Sequence, residues 1–319
     1  MTGKWVVIGA GAIGGVVGAK LYEAGEKVVF VARGAHLKAI QANGLAFVDP
    51  SGRRTLAIPA VASVGEVELS EGDIVVLAVK AQHTAGALAD LVAYAPAGIK
   101  IVCMQNGVDN ERQASRFFSD VLGANVTLLG TYLEPGVVLA HSAPVAGTIQ
   151  IGSYTGANDA SVEAVARTLI KAGVKSGVFA NIMAFKRLKL IVNLANVIEI
   201  VCLPGEGAEF ASLLSNEAKV LFATAGQSLP DADAVIPMPE PVDPSVPRVG
   251  GSTKQSVDRG ASSVETDFLN GEIVLMGRLF AVPTPANILA QEYARKVVRG
   301  IIEPNTVSQA ELLAALERS

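Results

Sequence analysis

The first thirty residues change their hydrophobic period twice. Trp5, Val6, Val7 and Ile8 form a continuous apolar run of the length and β-branched character of a buried strand. Gly9, Gly11 and Gly14 follow, and apolar positions then recur at helical spacing over residues 13–24 until Gly25 closes the stretch. This reads as strand, tight turn, helix. Residues 28–32, 74–79 and 100–104 are further short apolar strands, separated by helical stretches such as 81–93. Alternation of that kind predicts an α/β fold with a doubly wound parallel sheet. Segments 45–48 and 55–59 flank Asp49-Pro50-Ser51-Gly52 and read as a peripheral hairpin. Beyond Gly152 strand signals become rare, and residues 161–172, 182–200, 208–225, 257–281 and 285–299 read as helices. The expected organisation is a nucleotide-binding domain over 1–180 and a C-terminal all-helical domain over 181–319. Six prolines between 229 and 251 exclude a helix there and predict a surface loop, a lid or a spacer.

The chain has 319 residues, 50% of them hydrophobic and 18% charged, which is enough to bury a sizeable core. A net charge of −4 supplies no cationic field for nucleic acid or an anionic membrane, so any anion must be held by a local device. Mean hydropathy is +0.41, yet the longest apolar stretch, 190–203, is interrupted by Asn193, Asn196 and Glu199 and is too short to span a bilayer. No membrane partner is expected. Cys103 and Cys202 lie far apart with no metal-ligand spacing around them, which predicts reduced thiols, a cytoplasmic protein and no metal. His36, His83 and His141 are scattered, and no nucleophile motif accompanies them.

Between a strand and a helix, the segment Gly9-Ala10-Gly11-Ala12-Ile13-Gly14 suits a dinucleotide: Gly9 for the turn, Gly11 for close approach of a pyrophosphate, Gly14 for helix packing. The helix N-terminus adds N–H groups and partial positive charge. At the end of the second strand, where an acidic residue would accept from a ribose hydroxyl, the chain carries Arg33. A guanidinium matches a 2′-phosphate, so NADP(H) is favoured over NAD, FAD or S-adenosylmethionine. Lys80, at the end of another strand, is a second candidate cation, although alone it would read as a surface lysine. Asn106, after the strand at 100–104, reads either as part of an Asn-Gly turn or as a cleft amide.

In the second half, Lys189 and Asn193 share a helix face at i, i+4, and Asn196 lies near it at i+7. On an apolar helix these polar groups either line a cleft or form a solvated stripe. Ser252 opens a hydroxyl-rich helix entry, and Glu265 could orient a lysine, bond a hydroxyl or simply be solvated.

Taken together, the glycine turn, Val31-Ala32-Arg33-Gly34, Val79-Lys80, Gln105-Asn106-Gly107, Lys189-Leu190 with Asn193, and Glu265-Thr266-Asp267 with Asn270-Gly271 resemble the ketopantoate reductase (2-dehydropantoate 2-reductase) family. The resemblance spans nearly the whole chain, with the motifs in the family's order. It implies a Rossmann domain followed by a helical domain like that of the 6-phosphogluconate dehydrogenase superfamily. The implied reaction is reduction of a 2-oxo acid, ketopantoate, with NADPH as cofactor. On matching positions it implies Lys189 as proton donor and Asn193 as a substrate amide. Asn106 would touch cofactor and substrate, Ser252 would help hold the substrate, Glu265 would lie near the nicotinamide, and Arg33 and Lys80 would meet the 2′-phosphate. The family's second substrate asparagine, eight residues after the lysine, falls on Val197, with Asn196 one position early. The segment from Ser252 to Glu265 is one residue longer than in the best-known members. A paralogue acting on another 2-oxo acid or ketone, and a non-catalytic NADP(H)-binding regulator, are the rival readings. The helical half offers surfaces on which a homodimer could form.

Overall fold

Residues 5–8 are buried on both sides because they are the centre of a sheet. The computed structural model describes residues 3–231, 250–258, 260 and 263–318, so most of the proline-rich segment lies outside the described residues. Two compact units emerge, residues 3–106 with 110–183, and residues 107–109 with 184–230 and 250–318.

The first unit holds strands β1 (Trp5–Ile8), β2 (Val28–Val31), β3 (Leu45–Asp49), β4 (Gly52–Leu56), β5 (Ala60–Val61), β6 (Ile74–Leu77), β7 (Lys100–Cys103), β8 (Val121–Leu128), β9 (Gly130–Glu134), β10 (Val137–Ala140), β11 (Gly147–Ser153) and β12 (Lys175–Val178). Helices α1 (Ala12–Glu23), α2 (Gly34–Asn43), α3 (Thr84–Val92), α4 (Asn110–Ala114) and α5 (Ala160–Lys171) connect them. Among the described residues one sheet runs β12-β11-β8-β7-β6-β1-β2-β5, and a second runs β4-β3-β10-β9. Side chains alternate along each central strand. Trp5 and Val7 join Phe30, Val17 and Val165 in a core on one face, whereas Val6 and Ile8 join Leu77, Leu88 and Leu91 on the other. Helices therefore cover both faces, as continuous apolar strands require.

The α/β fold with a parallel sheet is as expected, and two details of the first unit differ. The large sheet is not wholly parallel, because β11 pairs antiparallel with β8. Neither strand stands out in the sequence, since each mixes glycine and amide residues into its apolar run. The amides find each other across the ladder, where Asn125 Nδ2 donates to Gln150 Oε1 at 2.9 Å, a pairing that local patterning does not reveal. The hairpin at 45–59 forms as β3 and β4 but is not peripheral: Leu45 and Phe47 are fully buried, and β3 pairs parallel with β10.

Helices α6 (Ile182–Asn193), α7 (Ile198–Val201), α8 (Ala208–Thr224), α9 (Ser252–Asp258), α10 (Asn270–Phe280), α11 (Pro285–Val298) and α12 (Gln309–Leu316) complete the chain. The second unit has its own apolar core, built from Leu190, Leu194, Phe210, Leu214, Leu221, Ile273 and their neighbours. The expected single helix over 182–200 is interrupted. Residues Leu194–Val197 tighten into a 3-10 turn, and the carbonyl of Leu194 accepts from Asn270 Nδ2 at 3.2 Å.

Candidate active site

Sheet register assembles the first group of residues. Ile8 pairs with Val31 on one side and Leu77 on the other, and Leu77 pairs with Cys103. These parallel strands end in one row, so the residues just past them, Gly9, Arg33, Lys80 and Asn106, emerge at the same carboxyl edge. Four residues read separately in the sequence are thus brought to one edge.

Each glycine of the turn has a distinct physical justification. Gly9 has φ +103°, and a Cβ there would stand 2.8 Å from the backbone nitrogen of Val79. A Cβ on Gly14 would stand 2.0 Å from the carbonyl oxygen of Gly9 and 2.9 Å from the Ala78 Cβ, so α1 can approach the sheet only with glycine there. A Cβ on Gly11 would meet nothing within 4 Å. The space over Gly11 is open to a ligand. Helix α1 begins with no side-chain cap and no acidic residue in its first turn, which leaves its N-terminal N–H groups to an anion. Ala10, Ala12 and Ile13 complete this backbone cradle, which fits the pyrophosphate of a dinucleotide.

Arg33 precedes α2 and is 75% exposed, and among the described residues its guanidinium pairs with Asp90, at 3.7 Å. An exposed pair at that distance holds the side chain weakly and leaves it able to swing onto a phosphate. Lys80 follows β6 and is half-buried. Asn106 is fixed by its backbone: its carbonyl accepts from Asn110 Nδ2 at 2.8 Å, Asn110 Oδ1 accepts from Thr84, and Thr84 accepts from Gln105. Gly107, at φ +81°, completes the turn.

The second group lies in the helical unit. Lys189 is desolvated, and burial with the neighbouring charge of Lys186 pushes it down to about 8, while the Glu265 carboxylate pulls the other way. Glu265 sits at the start of the 3-10 turn Glu265–Phe268 and is 3% exposed. Sequence reasoning missed Lys186. It lies three residues before Lys189 on the same helix face and is also 3% exposed, and its signal was a charged residue inside an apolar stretch. Arg187, by contrast, donates to the Ser228 carbonyl at 3.0 Å.

Asn193 closes α6, and its Nδ2 is buried without a hydrogen-bond partner among the described residues. The tightened turn that follows changes the geometry of Asn196. With three residues per turn, positions i and i+3 eclipse, so Asn196 follows Asn193 on one line instead of drifting round the helix. Val197, where the second family asparagine would fall, is buried in the helical core. The side chain of Ser252 lies outside the described residues. Its neighbour Thr253 is 1% exposed, its hydroxyl has no partner among the described residues, and α9, which carries it, packs against α7 and the 3-10 turn holding Asn196. Buried donors without partners are costly, and a polar group that reaches them recovers that cost. Among the described residues no group of His, Cys, Asp or Glu could hold a metal ion, and no helix is long and apolar enough to cross a membrane.

Comparison with known proteins covers both halves. The family model described as ketopantoate reductase PanE/ApbA matches residues 5–156, and its C-terminal counterpart matches 179–298. A 2-dehydropantoate 2-reductase of Mesorhizobium japonicum is 31% identical over 314 residues, covering 88% of this chain and 94% of that protein. One from Pyrococcus horikoshii is 30% identical over 297 residues, covering 90% and 94%. The crystal structure of a PanE/ApbA family ketopantoate reductase from Ralstonia eutropha JMP134 superposes with a TM-score of 0.79 at 28% identity, over 93% of this chain and 99% of that one. The chain therefore belongs to the ketopantoate reductase PanE/ApbA family, oxidoreductases that reduce 2-dehydropantoate with NADPH.

Proposed function

We propose that this chain reduces the 2-oxo group of 2-dehydropantoate to the hydroxyl of pantoate, with Lys189 as the proton donor. Bound NADPH would supply a hydride to the ketone carbon. The observation that carries the assignment is a desolvated lysine pushed down to about 8 between Lys186 and Glu265 in a chain of this family. An ammonium of that acidity is still mostly protonated at neutral pH, yet it yields its proton to a developing alkoxide more readily than an ordinary lysine. Lys189 is left neutral after each turnover and is recharged from solvent. Asn193, Asn196 and the hydroxyl-bearing start of α9 would hold the oxygens of the substrate, and Asn106 would orient it. The turn from Gly9 to Gly14 would hold the pyrophosphate, Arg33 and Lys80 the 2′-phosphate. Glu265 would keep Lys189 charged at rest.

The deciding experiment follows NADPH absorbance with a panel of 2-oxo acids. Oxidation with 2-dehydropantoate supports the assignment. Oxidation only with other acids or ketones makes the protein a paralogue, a reading favoured by the displaced second asparagine. Binding without turnover makes it a regulator. Lys189→Ala should lower turnover about 10²- to 10⁴-fold through lost acid catalysis while NADPH affinity is kept, and unchanged turnover removes Lys189 from the mechanism. The same reading places the enzyme in the cytoplasm, with the buried thiols of Cys103 and Cys202 reduced. It gives the protein no nucleic-acid partner. A homodimer is the assembly to check by mass in solution.

A further inference from the structure

His36 lies on α2, outside every role so far assigned, and its ring is buried. Its Nε2 stands 2.8 Å from the carbonyl oxygen of Ala10, which can only accept, so Nε2 carries the proton. Its Nδ1 accepts from the backbone N–H of Gly136, at 2.9 Å, in the turn between β9 and β10. The ring of Tyr132 on β9 meets it edge-on, with centroids 4.8 Å apart. A ring that donates at one nitrogen and accepts at the other is neutral, and its tautomer is fixed by these partners. Ala10 is the second residue of the glycine turn, so the imidazole joins that turn to the second sheet through a single side chain. A Cβ at Gly136 would stand 2.9 Å from the Ala39 Cβ, which shows how closely the β9–β10 turn is seated on α2.

We propose that His36 is a positioning residue for the dinucleotide turn: the neutral imidazole ties the Ala10 carbonyl to the Gly136 amide and so fixes the open space over Gly11 at the shape the pyrophosphate needs. The inference rests on the reading that this turn holds NADPH. A second proton would go to Nδ1, which would then confront the Gly136 N–H, donor against donor. Burial already holds His36 below the ordinary imidazole range, with the Ala10 carbonyl opposing that shift only in part. Tyr132 is the titratable group facing the ring from β9, and Glu134 on the same strand and Arg33 and Lys38 around the start of α2 are exposed. Since the shift is downward, the bridge is intact at neutral pH and above, and is lost as pH falls through the lowered midpoint.

The test uses the whole protein and reads NADPH dissociation constants from nicotinamide fluorescence. His36→Phe keeps the ring and its edge contact but removes both hydrogen bonds. It should weaken NADPH about tenfold, by stranding two buried backbone groups, and leave kcat at saturating cofactor and the KM for the 2-oxo acid within about twofold. His36→Gln keeps a donor for Ala10 without a titrating ring. The wild-type to Gln ratio of dissociation constants, in which titration of the NADPH phosphate cancels, should rise several-fold as the pH falls from neutrality through the lowered His36 midpoint. Wild-type affinity in His36→Phe overturns the proposal, and so does an equal loss of kcat and substrate KM, which would mark general structural damage. If the Phe variant does not fold, a flat wild-type to Gln ratio overturns it. Failure of the wild type itself to bind NADPH would instead defeat the reading of the turn.

Discussion

The carboxyl edge of the sheet and the helical cluster around Lys189 solve opposite problems. At the sheet edge almost nothing chemical is needed. Backbone N–H groups, an open space over Gly11 and the row of strand ends set by register make the proposed cradle, and side chains would only trim its selectivity. In the helical unit the backbone is ordinary, and the proposed chemistry rests on two lysines and a carboxylate held where water cannot screen them. A backbone site is cheap to build and intolerant of added volume. A buried charge cluster costs stability and is intolerant of changed charge. The two regions should therefore fail differently.

The largest effect expected from breaking this contrast comes from the glycines. Gly14→Ala places a methyl 2.0 Å from the Gly9 carbonyl oxygen, so α1 or the turn must move. Both stability, by roughly 1–3 kcal/mol from overpacking, and NADPH affinity should fall. Gly11→Ala adds the same methyl to open space at a φ of −72° that alanine adopts freely. Thermal stability should stay within about 0.5 kcal/mol of wild type, while NADPH affinity falls on the order of a hundredfold because the methyl takes the ligand's place. Melting curves with and without NADPH separate the two. A matching loss of stability in both variants would mean that Gly11 is structural and the cradle misassigned.

Next in size is a change of charge without a change of shape. Lys186→Met removes the neighbouring charge that, together with burial, holds Lys189 down, so the Lys189 midpoint should rise from about 8, by on the order of one pH unit. On the proposal that the protonated amine is the donor, the fall of kcat/KM at high pH should move to higher pH by the same interval. Competitive amine labelling of Lys189 reads the midpoint without turnover. A pH limb that stays where the wild type has it would uncouple the two lysines.

The same contrast explains what was legible in the sequence. The glycine spacing, the apolar runs and Arg33 are consecutive or nearly so, and their meaning comes from period and position. The glycine turn, the alternating strands and helices of the first 110 residues and the helical second half were visible for that reason. Strands β8 and β11 were not, because their amides meet across the ladder, Asn125 with Gln150, 25 positions apart. The interruption after Asn193 was hidden too, since the donor to the Leu194 carbonyl is Asn270, 76 positions away. Nothing local announces that the helix must tighten there and bring Asn196 into line. Lys186 was overlooked because a lysine in a helix is normally solvated, and only burial shows otherwise. Thr253 was masked by Ser252 beside it, the two hydroxyls being equivalent until one is seen buried without a partner.

The smallest expected effect belongs to Arg33, where the sheet edge relies on a side chain. Its ion pair with Asp90 spans 3.7 Å between groups 75% and 56% exposed, and such pairs contribute little to folding. Arg33→Ala should therefore leave the melting temperature unchanged. A guanidinium that swings from Asp90 onto a 2′-phosphate exchanges one partly solvated anion for another, so the gain in affinity is modest, about fivefold to tenfold in favour of NADPH. Rising salt should narrow that margin, because the charges remain partly exposed. NADH, which lacks the 2′-phosphate, should bind the variant and the wild type alike. An equal loss for both dinucleotides would place Arg33 in the scaffold of the edge and leave Lys80 as the side chain that distinguishes them.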